Sequence, residues 1–143
     1  MISGWSPHCK AISTSPFPFS ILVKLFIKYY VFPISLLNFY GSYVDCVPFW
    51  EDFISVGALA DQNIILGTNL NFTISLREFW GTYPHLDHQH HFFSYFFQNN
   101  YLVDIKPINL SPTWMNCQSD EGEVSKRLDR FLVLENLMRS DYL

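Results

Sequence analysis

The run I-I-L-G-T-N-L-N, from Ile64 to Asn71, decides the fold. Its apolar start has the length and branched side chains that are typical of a buried strand, and its polar end is typical of the loop that follows. Side chains at the end of a buried strand are held rigidly, which suits catalytic groups, although an ordinary polar turn has the same composition. The run therefore predicts a core strand with a candidate site at its end, including Asn69 and Asn71.

The segments on either side of this run alternate between predicted strands and helices. Strands are predicted at 20–30, 34–40, 102–105, 113–114 and 128–134, helices at 48–60, 87–100 and from 135 onward, and a turn at 119–125. Pro33 separates the first two strands into a hairpin, and Asp87 is a plausible N-cap. Because no strict βαβ rhythm is present, we expect an α/β (α+β) fold with a mixed sheet covered by helices. Residues 1–19 are predicted to be irregular, and residues 20–143 to form one domain.

Composition excludes several classes of protein. The chain has 143 residues, 15% of them charged and 49% hydrophobic, with a net charge of −4. This much apolar surface argues against intrinsic disorder, and nine basic residues argue against a nucleic-acid-coating protein. The three cysteines are widely spaced, which predicts neither a disulfide framework nor a cysteine-rich zinc site. No signal peptide is recognised, so we expect an intracellular protein, nuclear or cytoplasmic.

The most hydrophobic stretch allows an alternative function. Residues 17–43 could anchor a small membrane-associated protein, but Lys24 and Lys28 interrupt the stretch and Pro33 breaks it. A spanning helix needs about 20 residues without such interruptions. We therefore expect buried strands here and no membrane partner.

A histidine cluster, H-L-D-H-Q-H-H, extends from His85 to His91. Imidazoles at this density can bind zinc or another divalent ion, although the H-E-x-x-H spacing is missing. A loop leading into the first turn of a helix has the same composition. The sequence leaves the role of this cluster open.

A basic cluster, K-R-L-D-R-F-L-V, occupies residues 126–133. Period-two alternation places Asp129 on one face of a strand and Arg130 on the other. A carboxylate on an apolar face needs a cation or a hydrogen-bond donor as its partner. The basic side chains of Lys126, Arg127 and Arg130 are predicted to form a solvated strand edge.

Several short motifs, taken in chain order, resemble those of one known family. They are L-N-F-Y-G at 37–41, P-F-W-E at 48–51, the run at 64–71 with L-R-E-F-W-G at 76–81, L-V-D at 102–104, L-S-P-T-W at 110–114 and K-R-L-D-R-F-L at 126–132. The ordered set resembles the endonuclease domain of LINE-type (non-LTR) retrotransposons of the kind abundant in plant genomes, within the endonuclease/exonuclease/phosphatase superfamily. The resemblance covers about residues 34–138.

The resemblance implies a fold and an activity. The fold would be a four-layer α/β/β/α sandwich, here partial, without its N-terminal strands and its C-terminal strand. The activity would be Mg²⁺-dependent hydrolysis of phosphodiester bonds, with DNA as the partner that is nicked. Carboxylates hold such a cation, the metal neutralises charge on the phosphate, and an Asp or His orients the attacking water.

The resemblance also assigns residues. Tyr40 matches a tyrosine expected to contact the phosphate, and Asn71 an asparagine that binds phosphate and water. Asp129 matches an aspartate that orients the catalytic histidine. The position of a family aspartate is occupied by Asn69, whose carboxamide supplies no negative charge.

Two further departures concern the ends of the sequence. No residue between Met1 and Phe19 is acidic, where the metal-binding glutamate is expected, and the S-D-H motif with the general base would lie beyond Leu143. We therefore expect a catalytically inactive remnant of a retrotransposon endonuclease that does not bind Mg²⁺. DNA binding is expected to be weak, because phosphate contacts dominate it and few cations are present.

Overall fold

The computed structural model describes residues 8–17, 20–28, 30–118 and 122–139 and shows a mixed α/β fold, as expected. Within these ranges the strands are β1 (Cys9–Phe17), β2 (Ser20–Ile27), β3 (Ile34–Tyr40), β4 (Ile64–Asn69), β5 (Phe79–Gly81), β6 (Leu102–Ile105), β7 (Trp114–Met115), β8 (Val124–Lys126) and β9 (Asp129–Leu134). The helices are α1 (Cys46–Ser55), α2 (His90–Asn99) and α3 (Glu135–Arg139), with a short 3₁₀ helix at Leu76–Glu78.

The main sheet has six strands in the order β1-β2-β3-β4-β9-β6. Only β3 and β4 are parallel neighbours; the other pairs in this described sheet are antiparallel. Parallel pairing needs a long crossover, and the chain between β3 and β4 supplies it with α1. The predicted hairpin of β2 and β3 is confirmed, with Ser20 opposite Phe39 and Leu25 opposite Ile34.

A second, small sheet has the order β5-β8-β7. β8 leads into β9 after only two residues, so the two sheets share one nearly continuous stretch of chain. The N–H of Leu70 donates to the carbonyl of Leu128, at 2.9 Å, in the connection between β8 and β9. This contact places the small sheet at the carboxyl end of β4.

One face of the main sheet packs against α1 and α2. Leu37, Leu66 and Leu132 lie side by side on β3, β4 and β9 and are all buried. Trp50 of α1 is fully buried beneath them and contacts the ring of Phe93 of α2 edge to face, with centroids 5.6 Å apart. Much of the aromatic content therefore fills the core between the sheet and these helices.

β1 differs from the prediction of an irregular segment over residues 1–19. Cys9–Phe17 pair along β2, with Thr14 opposite Val23 and a bulge between Ala11 and Ser13. This segment lacks alternating apolar residues, and its pairing depends on the backbone hydrogen bonds that the outer side of β2 offers. The rest of the predicted segment, residues 1–7, 18 and 19, lies outside the described residues.

The second helix begins at His90, three residues after the predicted cap, Asp87. The Asp87 carboxylate instead accepts hydrogen bonds from the N–H and hydroxyl of Thr73 and from the ammonium of Lys126, each at 2.7 Å. A carboxylate engaged by these tertiary donors does not cap the first turn. Helix α1 also differs at its end, which is Ser55 and not residue 60.

The remaining predicted elements are confirmed where the structure describes them. β6, β7 and β9 and the start of α3 agree with the prediction within a residue or two, and β4 extends to Asn69. Part of the predicted turn at 119–125, and the residues after 139, lie outside the described residues.

The segment considered above as a membrane anchor contributes β2 and β3 to the main sheet. Among the helices that the structure describes, none combines the length and the apolar character needed to cross a bilayer.

Candidate active-site cleft

The structure brings the four predicted site residues together at one end of the main sheet. Tyr40 of β3 is the register partner of Asn69 of β4, which is in turn the partner of Asp129 of β9. We call Tyr40, Asn69 and Asp129 the polar row. Asn71 follows β4 and adjoins the row, because its Oδ1 accepts a hydrogen bond from the Tyr40 hydroxyl at 2.9 Å. The catalytic and phosphate-binding roles of these residues stay predictions.

The loops after β3 and β4 are tied to each other around Asn69. Its Oδ1 accepts the N–H of Asn71 at 2.8 Å, and its carbonyl accepts the N–H of Gly41 at 2.8 Å. A Cβ at Gly41 would lie 2.6 Å from that carbonyl, so only glycine fits there. Asn71 has a left-handed backbone (φ 63°), which asparagine tolerates, and its Nδ2 donates to the carbonyl of Gly41. The amide oxygen of Asn69 is therefore already engaged in the structure of the loop.

Thr113 fixes the backbone where β9 begins. Its hydroxyl oxygen accepts the N–H groups of Leu128 and Asp129, both at 3.0 Å, and its own N–H donates to the carbonyl of Lys126 at 2.9 Å. The Asp129 side chain is exposed, and its carboxylate has no hydrogen bond or ion pair with any residue of the described ranges. The backbone thus fixes the position of the carboxylate, and the carboxylate itself faces solvent. The sequence predicted a cation or a hydrogen-bond donor as its partner, and water takes that role here.

A cleft of about 560 Å³ opens over the polar row and over a second row beside it. In this second row Gly67 of β4 pairs with Phe131 of β9, and Phe131 pairs with Ile105 of β6. We call these three residues the apolar row. On the two strands that contribute to both rows, Gly67 precedes Asn69 by two positions and Phe131 follows Asp129 by two positions, so both rows lie on the same face of the sheet. That face is opposite to the one that α1 and α2 cover.

The prediction of a solvated basic strand edge is wrong for Arg127 and Arg130, which are 2% and 3% exposed. The Arg127 guanidinium pairs with Glu78 at 2.9 Å and with Asp104 at 2.8 Å. Arg130 contacts the same two carboxylates at 2.7 and 2.6 Å. These four side chains form a buried charge network with two positive and two negative charges. Because the acids balance the arginines, the network contributes little positive charge to the cleft.

The network shifts the pKa of Glu78. Burial raises this pKa, but hydrogen bonds and charge from Arg130, with further donors from Ile74 and Arg127, outweigh burial and lower it from 4.5 to about 2. The pKa of Asp87 is also lowered, because hydrogen bonds from Lys126 and Thr73 outweigh its burial.

The donor atoms in the cleft do not fit a resident magnesium ion. Asp129 is the single carboxylate among the described residues that line it, and Asn69 and Asn71 present amide oxygens that already accept hydrogen bonds. Magnesium at phosphate-transfer sites is held by carboxylates together with phosphate oxygens. Across the described ranges, no group of three or more His, Cys, Asp and Glu side chains could hold a metal ion. The expectation that the chain does not bind Mg²⁺ stays a prediction.

The histidine cluster lies away from the cleft lining. His85 packs on Phe79 with ring centroids 4.9 Å apart, and its Nδ1 lies 3.1 Å from the carbonyl of Tyr83. His90 is 3.8 Å from the ring of His91 at the start of α2. In the described structure these imidazoles contact rings and backbone around the loop that precedes α2.

Comparison with solved structures identifies the fold. The structure is similar to the endonuclease domain of TRAS1, a telomere-specific non-LTR retrotransposon, with a TM-score of 0.69 and 14% sequence identity. The chain has the fold of a retrotransposon endonuclease domain. The match covers 94% of this chain and 59% of the TRAS1 domain, so the chain spans about three fifths of that domain's length. No protein-family model and no curated protein matches the chain.

The resemblance inferred from the ordered motifs is therefore confirmed at the level of the fold. Sequence reasoning did not identify the role of Thr113 or the pairing of the arginines with Glu78 and Asp104. A signal for the pairing was present, because Arg130 alternates with leucines on a buried strand and a buried charge needs a partner. No local pattern indicates that a threonine hydroxyl would accept two consecutive N–H groups from a segment 15 residues away.

Proposed function

We propose that the chain is a nuclease-fold domain that does not hydrolyse phosphodiester bonds and that contacts nucleic acid weakly through its cleft. One observation carries this proposal: the centre of the polar row, between Tyr40 and Asp129, is the carboxamide of Asn69. The retrotransposon ancestry is part of the proposal and is supported by the fold and by the ordered motifs.

The chemical argument concerns charge and proton transfer. A carboxamide does not ionise and is a poor proton acceptor, so Asn69 supplies no negative charge to a cation and cannot act as a general base. Its oxygen is also occupied by the N–H of Asn71. Among the described residues that line the cleft, none is a histidine. Asp129 is therefore the single carboxylate in the described lining that could accept a proton from an attacking water.

The proposal of weak binding follows from the paired cations. Arg127 and Arg130 are balanced in the buried charge network, and Lys126 is 2.7 Å from the Asp87 carboxylate. Lys106 lines the cleft and has no ion pair with any described residue. Since each phosphate contact adds to affinity and to its salt dependence, one lysine supports only weak binding to a DNA backbone.

A plasmid-nicking assay tests the proposal. Supercoiled plasmid is incubated with the purified chain and Mg²⁺, with EDTA-treated samples as the metal-free control and a commercial nicking enzyme as the positive control. We expect no open-circular product above the metal-free control. The variant Asn69→Asp is expected to remain inactive, because it adds one carboxylate and no histidine to the cleft.

Two results would contradict this reasoning. Magnesium-dependent nicking by the unmodified chain would show that the domain is an active nuclease. Nicking by Asn69→Asp alone would show that the carboxamide is the sole defect and that the rest of the catalytic machinery is intact.

A further inference from the structure

We propose that the apolar row is a stacking platform for the base of an unpaired nucleotide, so that the cleft prefers single-stranded nucleic acid to duplex. The proposal rests on the cleft being a nucleic-acid contact, as inferred above, and adds the class of ligand.

The first argument is the exposure of Phe131. This ring is 59% exposed although it lies in the third position of β9, directly before the fully buried Leu132. Its neighbour on β4, Gly67, has no side chain, and a Cβ there would touch the ring edge at 3.5 Å. On the other side Ile105 is 36% exposed. The structure therefore presents an exposed aromatic ring between a glycine, which adds no side chain to this surface, and an apolar side chain.

The second argument is the size and charge of the cleft. About 560 Å³ lies within the range of roughly 300–1,000 Å³ for ligand sites and is large enough for one nucleotide. The arginines in the lining are balanced by buried carboxylates, so the surface over Phe131 is apolar and close to neutral. A neutral, flat ring matches this surface better than a phosphate does. Aromatic side chains bind bases in this way irrespective of sequence.

The third argument is the position of polar groups around the platform. On β4 and β9 the polar row lies two residues, about 7 Å, from the apolar row. There the Asp129 carboxylate can accept, and the Asn69 Nδ2 can donate, hydrogen bonds to a base edge. Lys106 directly follows Ile105 and can contact one phosphate. A base in a duplex is already stacked and paired, so only an unpaired base can use all of these groups.

Fluorescence anisotropy of labelled oligonucleotides tests the proposal with the full chain. The probes are an oligothymidine of about eight nucleotides, an abasic chain of the same length and a duplex of the same length. We expect the oligothymidine to bind about tenfold tighter than either of the other two, as removal of one base–aromatic stack predicts. The slope of log K against log salt for oligothymidine should be about −0.7, the value for one phosphate contact on a single strand.

Substitutions at Phe131 separate stacking from folding. Phe131→Ala should weaken oligothymidine binding about tenfold, whereas Phe131→Tyr, which keeps the ring, should bind like the unmodified chain. Tyr95→Ala is the matched control, because Tyr95 is also exposed (67%) but lies on α2, which packs on the opposite face of the sheet. Circular dichroism of each variant verifies that it is folded.

The proposal is overturned if the abasic chain or the duplex binds as tightly as oligothymidine, if the unmodified chain binds none of the probes, or if folded Phe131→Ala binds unchanged. These results are independent of plasmid nicking. Binding of none of the probes would contradict both the proposed contact of the cleft with nucleic acid and the stacking platform, whereas binding without base dependence would contradict the stacking platform alone.

Discussion

Replacing Glu78 by glutamine removes one charge from the buried charge network and should destabilise the fold. Glu78 is 1% exposed and accepts hydrogen bonds from both Arg127 and Arg130, at 2.7 to 2.9 Å. In Glu78→Gln the two guanidinium groups retain only the carboxylate of Asp104. An uncompensated buried charge costs about 3–5 kcal/mol in unfolding free energy.

The lowered pKa of Glu78 indicates a loss of unfolding free energy of similar magnitude. The lowering of this pKa from 4.5 to about 2 corresponds to about 3 kcal/mol of stability near pH 7. Because the pKa is lower in the folded state, this contribution is fully present above pH 4.5 and is lost as the pH falls toward 2. At about pH 3.5 it should have fallen to about 2 kcal/mol.

Urea unfolding, followed by tryptophan fluorescence, measures the effect. The buried Trp50 reports on the core, and the free energy of unfolding is compared near pH 7 and at about pH 3.5. Glu51→Gln is the matched control, because Glu51 is exposed on α1 and its loss should change stability by less than about 0.5 kcal/mol. The reasoning is refuted if the unfolding free energy of Glu78→Gln is within about 1 kcal/mol of that of the unmodified chain near pH 7. It is also refuted if the difference does not shrink in acid.

Three substitutions and one labelling experiment test the structure around the cleft and the core. Gly41→Ala should lower the unfolding free energy by about 1–3 kcal/mol, because its Cβ would clash with a carbonyl at 2.6 Å. In Gly67→Ala the added Cβ makes only ordinary van der Waals contacts, so the unfolding free energy should fall by less than about 1 kcal/mol. Equal losses of unfolding free energy for Gly41→Ala and Gly67→Ala in urea would contradict this. Asn69→Asp should unfold at nearly the same urea concentration as the unmodified chain, since either oxygen accepts the same N–H, and a loss above about 2 kcal/mol would be inconsistent with the loop geometry. Burial raises the pKa of Cys46 to about 11, so a thiol reagent at mildly alkaline pH should label the exposed Cys117 and leave Cys46 unmodified until urea is added. Mass spectrometry of the labelled peptides measures this, and native labelling of Cys46 at the same rate would refute it.

Local patterns predicted a large part of the fold. The run at 64–71 predicted β4, and the hydrophobic periodicity of the two longer helices predicted α1 and α2 within a few residues of their ends. The strand β1 was missed, because its polar sequence carries no burial pattern and its hydrogen bonds come from β2. The start of α2 was displaced for a related reason: the cap preference of Asp87 is a local tendency, and three tertiary donors to its carboxylate outweigh it.

The candidate site also has features that the sequence predicted and features that required the tertiary structure. Tyr40, Asn69, Asn71 and Asp129 were selected from motifs that are short and local, and these motifs already show a carboxamide at position 69. Their alignment in one row depends on the register of β3, β4 and β9, which lie far apart in the chain. The exposure of Phe131 likewise depends on the register of β9 with β4, because this register places Gly67 beside the ring.

Residue identity and spacing were thus sufficient for the class of fold, for the order of most elements and for the carboxamide at position 69, because these features arise within a few consecutive residues. Strand order, the neutralisation of Arg127 and Arg130 and the open apolar row were decided only when the chain folded. The pairing of β9 with β4 and β6, the buried charge network and the apolar row each require residues at least 23 positions apart to meet, as Arg127 and Asp104 do, and no local preference encodes such a meeting.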